Sequence, residues 1–224
     1  MKRKQFWGEW LLGLGLPSVG FAILAIGVWY HGQGFLWDIP VLQALHTTAR
    51  PEWEPFVRGV TKLGVLWGVF PVATTIALLM IYQKRWRSFL YLVITLSSSS
   101  LLNRIAKLLM HRERPNLWEA FSPELDYAFP SGHAMSSMTL VVVLVLLAWS
   151  SRWCWWALVL GSVYVGTIGW TRLYLGVHYP SDILAGWLLA LAWAVGLHWV
   201  MQLQSWFNDP PDYQRNSLQN DIAQ

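Results

Sequence analysis

Long uncharged stretches, broken by short polar ones, set the plan of the chain. Six stand out, at roughly Trp10 to Tyr30, Gly64 to Tyr82, Phe89 to Leu109, His133 to Trp149, Trp155 to Tyr174 and Ser181 to Leu203. A run of about 18 or more apolar residues is long enough to cross a hydrocarbon core as a helix. The expected fold class is therefore all-α: an integral membrane bundle of six transmembrane helices over residues 1–207. The following tail, residues 208–224, is polar and has too little apolar surface to pack.

The first stretch follows the basic start MKRK, as a signal peptide would. It is long, however, and no clear small-residue cleavage site closes it, so it reads as a retained helix. The segment 31–63 is too long for a tight turn. Within it Ile39, Leu42 and Leu45 or His46 recur at helical spacing. That predicts a short helix lying in the interface, with Asp38 as its N-cap and Pro40 in its first turn. The run Ser97-Ser98-Ser99-Ser100 is polar for a lipid face and points to close helix–helix packing.

Composition sharpens this picture. With 55% hydrophobic and 12% charged residues, the chain is too apolar for an ordinary soluble domain. Its 17 tryptophans suit bilayer interfaces. The sole cysteine, Cys154, excludes an internal disulfide. The net charge of +4 reads as topology signal, not nucleic-acid binding. Lys2, Arg3, Lys4, Lys84, Arg85, Arg87 and Arg152 all fall on one side, which the positive-inside rule makes cytoplasmic. Both termini lie there. The extracytoplasmic side nonetheless carries Lys107, Arg112, Arg114 and Arg172, against the bias. Those cations need another role.

Three short stretches on that outer side supply one. They are Lys107 to Pro115 (KLLMHRERP), Pro130 to His133 (PSGH) and Thr171 to Asp182 (TRLYLGVHYPSD). In a bundle these helix ends can meet. Lys107, Arg114 and Arg172 can neutralise a multiply charged anion, and guanidinium forks suit phosphate oxygens. Ser131 and Gly132 precede the fourth helix, where N–H groups, a hydroxyl and the helix dipole favour an anion. Two histidines go beyond binding. One neutral imidazole can attack phosphorus while a second, protonated, donates to the leaving oxygen. The nucleophile needs a partner to hold its tautomer, and Asp182 lies four residues after His178, with Pro180 breaking a helix between them.

These residues resemble the type 2 phosphatidic acid phosphatase superfamily, which also includes bacterial acid phosphatases and vanadium haloperoxidases. Its pattern is Lys-x6-Arg-Pro, then Pro-Ser-Gly-His, then Ser-Arg-x5-His-x3-Asp. The first two match in full at Lys107, Arg114 and Pro115 and at Pro130 to His133. The third matches at Arg172, His178 and Asp182, with Thr171 in place of serine. The motifs span residues 107–182, about a third of the chain. The resemblance implies His178 as nucleophile forming a phosphohistidine, His133 as general acid and Asp182 orienting His178. It implies Lys107, Arg114, Ser131, Gly132 and Arg172 as phosphate ligands, with no metal and no cofactor. It implies a lipid phosphate as substrate, such as phosphatidylglycerophosphate, phosphatidate or undecaprenyl diphosphate.

Other readings follow from the same residues. A membrane anion transporter or channel would use the same cationic cluster, but transport sites sit near the midplane. Here the groups cluster at one face. His31, His46, His111 and His198 read as structural. Arg112 is expected at lipid headgroups, and Glu113, Glu119, Glu124 and Asp126 as solvated loop charges, as shaping the entrance, or as balance for the cations. Trp7, Trp10, Trp29, Trp37 and Trp149 read as interface anchors. The expected setting is a bacterial inner membrane, with no nucleic acid and no obligate protein partner.

Overall fold

The computed structural model describes residues 11–32, 34–118 and 126–201. Expectations for Lys2, Arg3, Lys4, Trp7, Trp10, Glu119, Glu124 and the 208–224 tail fall outside the described residues. Among those described, the structure is all-helical, with no strand. A π-helical turn, Leu11–Gly15, leads into α1 (Leu16–His31). Then come α2 (Asp38–Thr48), a 3-10 turn at Pro51–Trp53, α3 (Glu54–Lys62) and α4 (Val69–Tyr82). The remaining helices are α5 (Trp86–Met110), α6 (Gly132–Leu147), α7 (Trp153–Tyr174) and α8 (Pro180–Val200).

Four helical stretches are long and apolar enough to cross a membrane: Leu12–Tyr30, Trp86–Met110, Trp153–Tyr174 and Pro180–Val200. Val69–Tyr82 and Gly132–Leu147 are apolar but shorter. The second stretch begins as helix five residues later than its hydropathy suggests. Residues 63–68 wind as turns instead, with Gly64 N–H donating to Thr61 O and Trp67 N–H to Lys62 O. An apolar side chain does not distinguish a helix from a turn buried in the same layer.

α6 is the hub, packed against α5, α7 and α8. Its Val142 and Val143 join Tyr91 and Leu92 of α5 and Ala194 and Val195 of α8 in one core cluster. In lipid, apolar burial drives association weakly, so close packing and interhelical hydrogen bonds matter more. The serine run acts in this way. Ser99 Oγ lies 2.8 Å from Thr139 Oγ1 of α6, and Trp193 Nε1 of α8 donates to Ser98 Oγ at 2.8 Å. Tyr91 Oη donates across to Ala194 O at 2.9 Å. Away from these contacts Ile23, Ile26, Leu101, Leu108, Trp155, Leu160 and Val163 point outward. Trp29, Trp37 and Trp149 are also exposed.

The helix ends that carry chemistry have clear local causes. His111 ends α5 in the left-handed region, φ 46°, its N–H closing on Lys107 O. The turn releases the following Arg112 to Pro115 from the helix. Pro180 opens α8, and the Asp182 carboxylate accepts from the Tyr179 N–H in a capping box. His178 therefore sits just outside α8 and Asp182 in its first turn.

Candidate active site

The three motif stretches meet at one end of the bundle. Lys107, in the last turn of α5, is nearly buried and donates to Asp126 Oδ2 at 2.7 Å. It also bonds Tyr127 O. Arg114 clasps the same loop, donating to Asp126 O at 2.8 Å and to the other carboxylate oxygen, Oδ1. Its Nη1 donates to Val177 O at 2.7 Å and lies 3.1 Å from His178 Nε2. Burial alone would raise the Asp126 carboxyl, but Lys107 and Arg114 outweigh it and hold the group below the usual carboxylate range. Asp126 thus balances the two cations, one of the three roles open to it in the sequence.

The contact with Arg114 assigns the imidazole tautomer. A guanidinium only donates, so Nε2 presents its lone pair. The proton belongs on Nδ1, which faces Asp182 Oδ2 at 3.4 Å. Burial is the main force lowering the His178 pKa well below its ordinary value, and Arg114, Arg172, Lys107 and His133 push the same way. A neutral imidazole with its proton on Nδ1 keeps the Nε2 lone pair, which becomes available as a nucleophile once a ligand takes over the Arg114 N–H.

PSGH lies beside this group. Ser131 N–H donates to Asp182 O at 3.0 Å, tying the turn to α8. Gly186 permits the approach, since a Cβ there would meet Ser131 O at 2.8 Å. From α5, Asn103 Nδ2 donates to Pro130 O at 3.1 Å, a support with no signal in the sequence. Ser131 is the N-cap residue of α6, and its Oγ is buried with no hydrogen-bond partner among the described residues. Gly132 and His133 form the first turn of α6. An orphaned hydroxyl beside first-turn N–H groups suits an anionic ligand. Arg172, in the last turn of α7, is buried and donates to Thr61 Oγ1 of α3 at 3.0 Å. Thr171 Oγ1 donates to Ile168 O at 2.6 Å. The hydroxyl that Thr171 shares with serine thus serves its own helix.

Arg112 corrects the sequence reading. It is 2% exposed, enclosed by protein instead of open to lipid headgroups. Its Nη1 donates to Ser181 Oγ at 2.8 Å and to Asp182 Oδ1, and its Nη2 to Asp38 Oδ2 at 2.8 Å. The guanidinium also lies 4.2 Å over the Tyr179 ring. Asp38 is likewise no simple N-cap. It is the first residue of α2, after the N-cap Trp37, and is fully buried. Its carboxylate accepts from Ser181 N at 2.9 Å, Ser181 Oγ at 2.6 Å and Phe35 N at 3.0 Å. Gly34, at φ 105°, passes so close that a Cβ would come within 2.6 Å of Arg112 Nη2. Only glycine suits both that backbone and that gap.

Three further histidines stand apart from this cluster in ring contacts. His46 stacks on Trp118 at 4.0 Å, His111 meets Tyr127 edge-on at 4.7 Å, and His198 meets Tyr91 at 5.8 Å. Among the described residues no three His, Cys, Asp or Glu side chains gather as a metal site would require.

A lysine, two arginines and an imidazole gathered at one end of the bundle suit a multiply charged anion. The PAP2 superfamily profile matches residues 88–206, more than half of the sequence, and the chain belongs to that superfamily. It is a hydrolase of phosphoric ester or anhydride bonds. It is 36% identical over 118 residues to an undecaprenyl-diphosphatase of Sulfolobus acidocaldarius, covering 50% of this chain and 55% of that protein. It is 29% identical over 182 residues to phosphatidylglycerophosphatase B of Bacillus subtilis, covering 70% and 87%. Among solved structures, a transmembrane PAP2-type phosphatidylglycerolphosphate phosphatase from Bacillus subtilis shares the fold, with a TM-score of 0.71 at 24% identity, covering 86% of this chain and 96% of that one.

Proposed function

We propose that the protein removes a phosphate group from a membrane lipid through a phosphohistidine, without a metal ion. The observation that carries this reading is the placement of His178: Nε2 beside Arg114 at 3.1 Å, Nδ1 facing Asp182. In the first step His178 Nε2 attacks phosphorus as the bond to the leaving oxygen breaks. His133 gives that oxygen its proton, releasing the lipid alcohol or lipid phosphate. In the second step water attacks the phosphohistidine, His133 takes a proton back, and inorganic phosphate leaves. Lys107, Arg114, Arg172, Ser131 and the Gly132 N–H hold the phosphoryl oxygens and stabilise the crowded transition state.

The substrate class is a phosphomonoester or diphosphate of a lipid: phosphatidylglycerophosphate, phosphatidate or undecaprenyl diphosphate. The names of the relatives support that class. So does an apolar groove of about 310 Å³, lined by Ala25, Ile26, Trp29, Tyr30 and Met110, three residues beyond Lys107. Residues 1–207 form one catalytic domain in which α4 and α6 join the four longer helices as a six-helix bundle. The termini face the cytoplasm and the site faces outward, in a bacterial inner membrane.

The test is phosphate release by purified protein in detergent with excess chelator, on those three lipids, beside His178→Ala. Release by the wild type alone, with a phosphohistidine trapped by rapid acid-free quenching, is the expected result. Equal turnover in folded His178→Ala would remove His178 from the chemistry.

A further inference from the structure

Asp38 belongs to a helix outside the residues that match the superfamily profile, yet it is buried against the catalytic aspartate's partners. One guanidinium, Arg112, bridges two carboxylates, bonding Asp38 on one side and Asp182 on the other. Asp182 therefore divides its oxygens: Oδ1 to Arg112, Oδ2 to the Tyr179 N–H and to His178 Nδ1. Ser181 ties the group together, its N–H and Oγ both donating to Asp38. All three charged side chains are completely buried.

The charge count gives this arrangement a consequence. Arg112 alone would neutralise Asp182. With Asp38 ionised, the group carries one net negative charge directly behind His178. The charged groups facing His178 from elsewhere are Arg114, Lys107, Arg172 and His133. These oppose any positive charge on the ring. Phosphorylation at Nε2 places positive charge on the imidazole, since Nδ1 keeps its proton. We propose that Asp38 is a positioning residue that acts through Arg112: it leaves Asp182 with enough negative charge to support His178 as it becomes phosphorylated, and it holds the carboxylate in place. The inference rests on the phosphohistidine reading above.

The experiment compares the wild type, Asp38→Asn, Asp182→Asn and the double variant, each shown to be folded in detergent, with phosphate release measured across pH. Asp38→Asn should lower kcat by about tenfold to a hundredfold, the range of a charge-assisted hydrogen bond, with KM within about twofold. The acid limb of kcat/KM should move to lower pH, because the ring takes up a proton less readily without Asp38. Mere loosening would let water reach His178 and move that limb up, toward the ordinary histidine value. In the Asp182→Asn background, Asp38→Asn should add little to the loss of residual turnover.

An unchanged kcat, a limb that moves upward, or a full independent loss in the double variant would each overturn the proposal. Should Asp38→Asn not fold, Arg112→Lys serves in its place. A single ammonium lacks the fork that joins both carboxylates, so kcat should fall with KM nearly unchanged, and wild-type kcat would overturn the idea. Activity in His178→Ala would instead strike the phosphohistidine reading, so the two failures are distinguishable.

Discussion

Arg112 and Arg114 stand two residues apart, and the protein uses them in opposite ways. Arg114 lies at the mouth, against the exposed Asp126 carboxylate and the lone pair of His178. Arg112 lies behind, sealed between Asp38 and Asp182. The front charge is held by a carboxylate that is itself open to solvent. The rear charge has its partners built in, so its loss strands two buried carboxylates. Identical side chains in one motif thus differ in their partners, an exposed carboxylate for Arg114 and two fully buried ones for Arg112.

The largest effect expected at the junction of these two regions is His178→Ala, with turnover falling by at least about a thousandfold while folding persists. Phosphate release together with the melting profile in detergent checks both halves. The comparison itself is tested by truncating each arginine. Arg112→Ala should cost about 3–5 kcal/mol of stability, the range for breaking a buried ion pair. Arg114→Ala should cost less, about 1–2 kcal/mol for its lost hydrogen bonds to the loop, and raise the concentration of vanadate or phosphate needed for inhibition. Denaturant unfolding of both variants decides it, and equal destabilisation would erase the distinction.

A smaller effect is expected with pH. His178 is neutral in the folded protein and held well below its ordinary pKa, whereas the unfolded ring titrates near 6.5. Below about pH 6.5 the unfolded state binds the additional proton, so stability should fall as pH drops toward the folded value and level off beneath it. His178→Gln should flatten that part of the stability profile. An unchanged slope in that variant would assign the pH dependence to another group. The smallest effect belongs to Asp126→Asn. It removes the carboxylate that occupies Lys107 and Arg114, so KM should fall a fewfold with kcat little changed, read from initial rates. A rise in KM would make Asp126 a support of the two cations instead of a competitor for them.

Much of the front of the site was legible in the linear chain. Lys107 and Arg114 flank a helix end, PSGH opens a helix, and His178 and Asp182 straddle Pro180. These relations are local, and short-range geometry carries them. The rear was not legible. Arg112 sat in plain view between Lys107 and Arg114, but its partner Asp38 is 74 residues away. Beside Pro40 at a helix start, that aspartate reads as a cap. Asn103 beneath Pro130 was equally silent, because a polar residue within an apolar helix does not name its acceptor. The start of the second stretch was misjudged for a related reason: hydropathy reports burial in lipid or protein, not backbone conformation.

Residue order was enough to read a helical, membrane-embedded chain and to single out the charged groups and the histidine that the fold brings together. Apolar runs and helix-end residues act over a few turns, so they can be read in order. Folding in three dimensions was needed to show which arginine meets the solvent-exposed carboxylate, which nitrogen of His178 carries the lone pair, and that α2 contributes a carboxylate behind Asp182. Those outcomes depend on groups far apart in sequence being buried together, where each charge must find a partner.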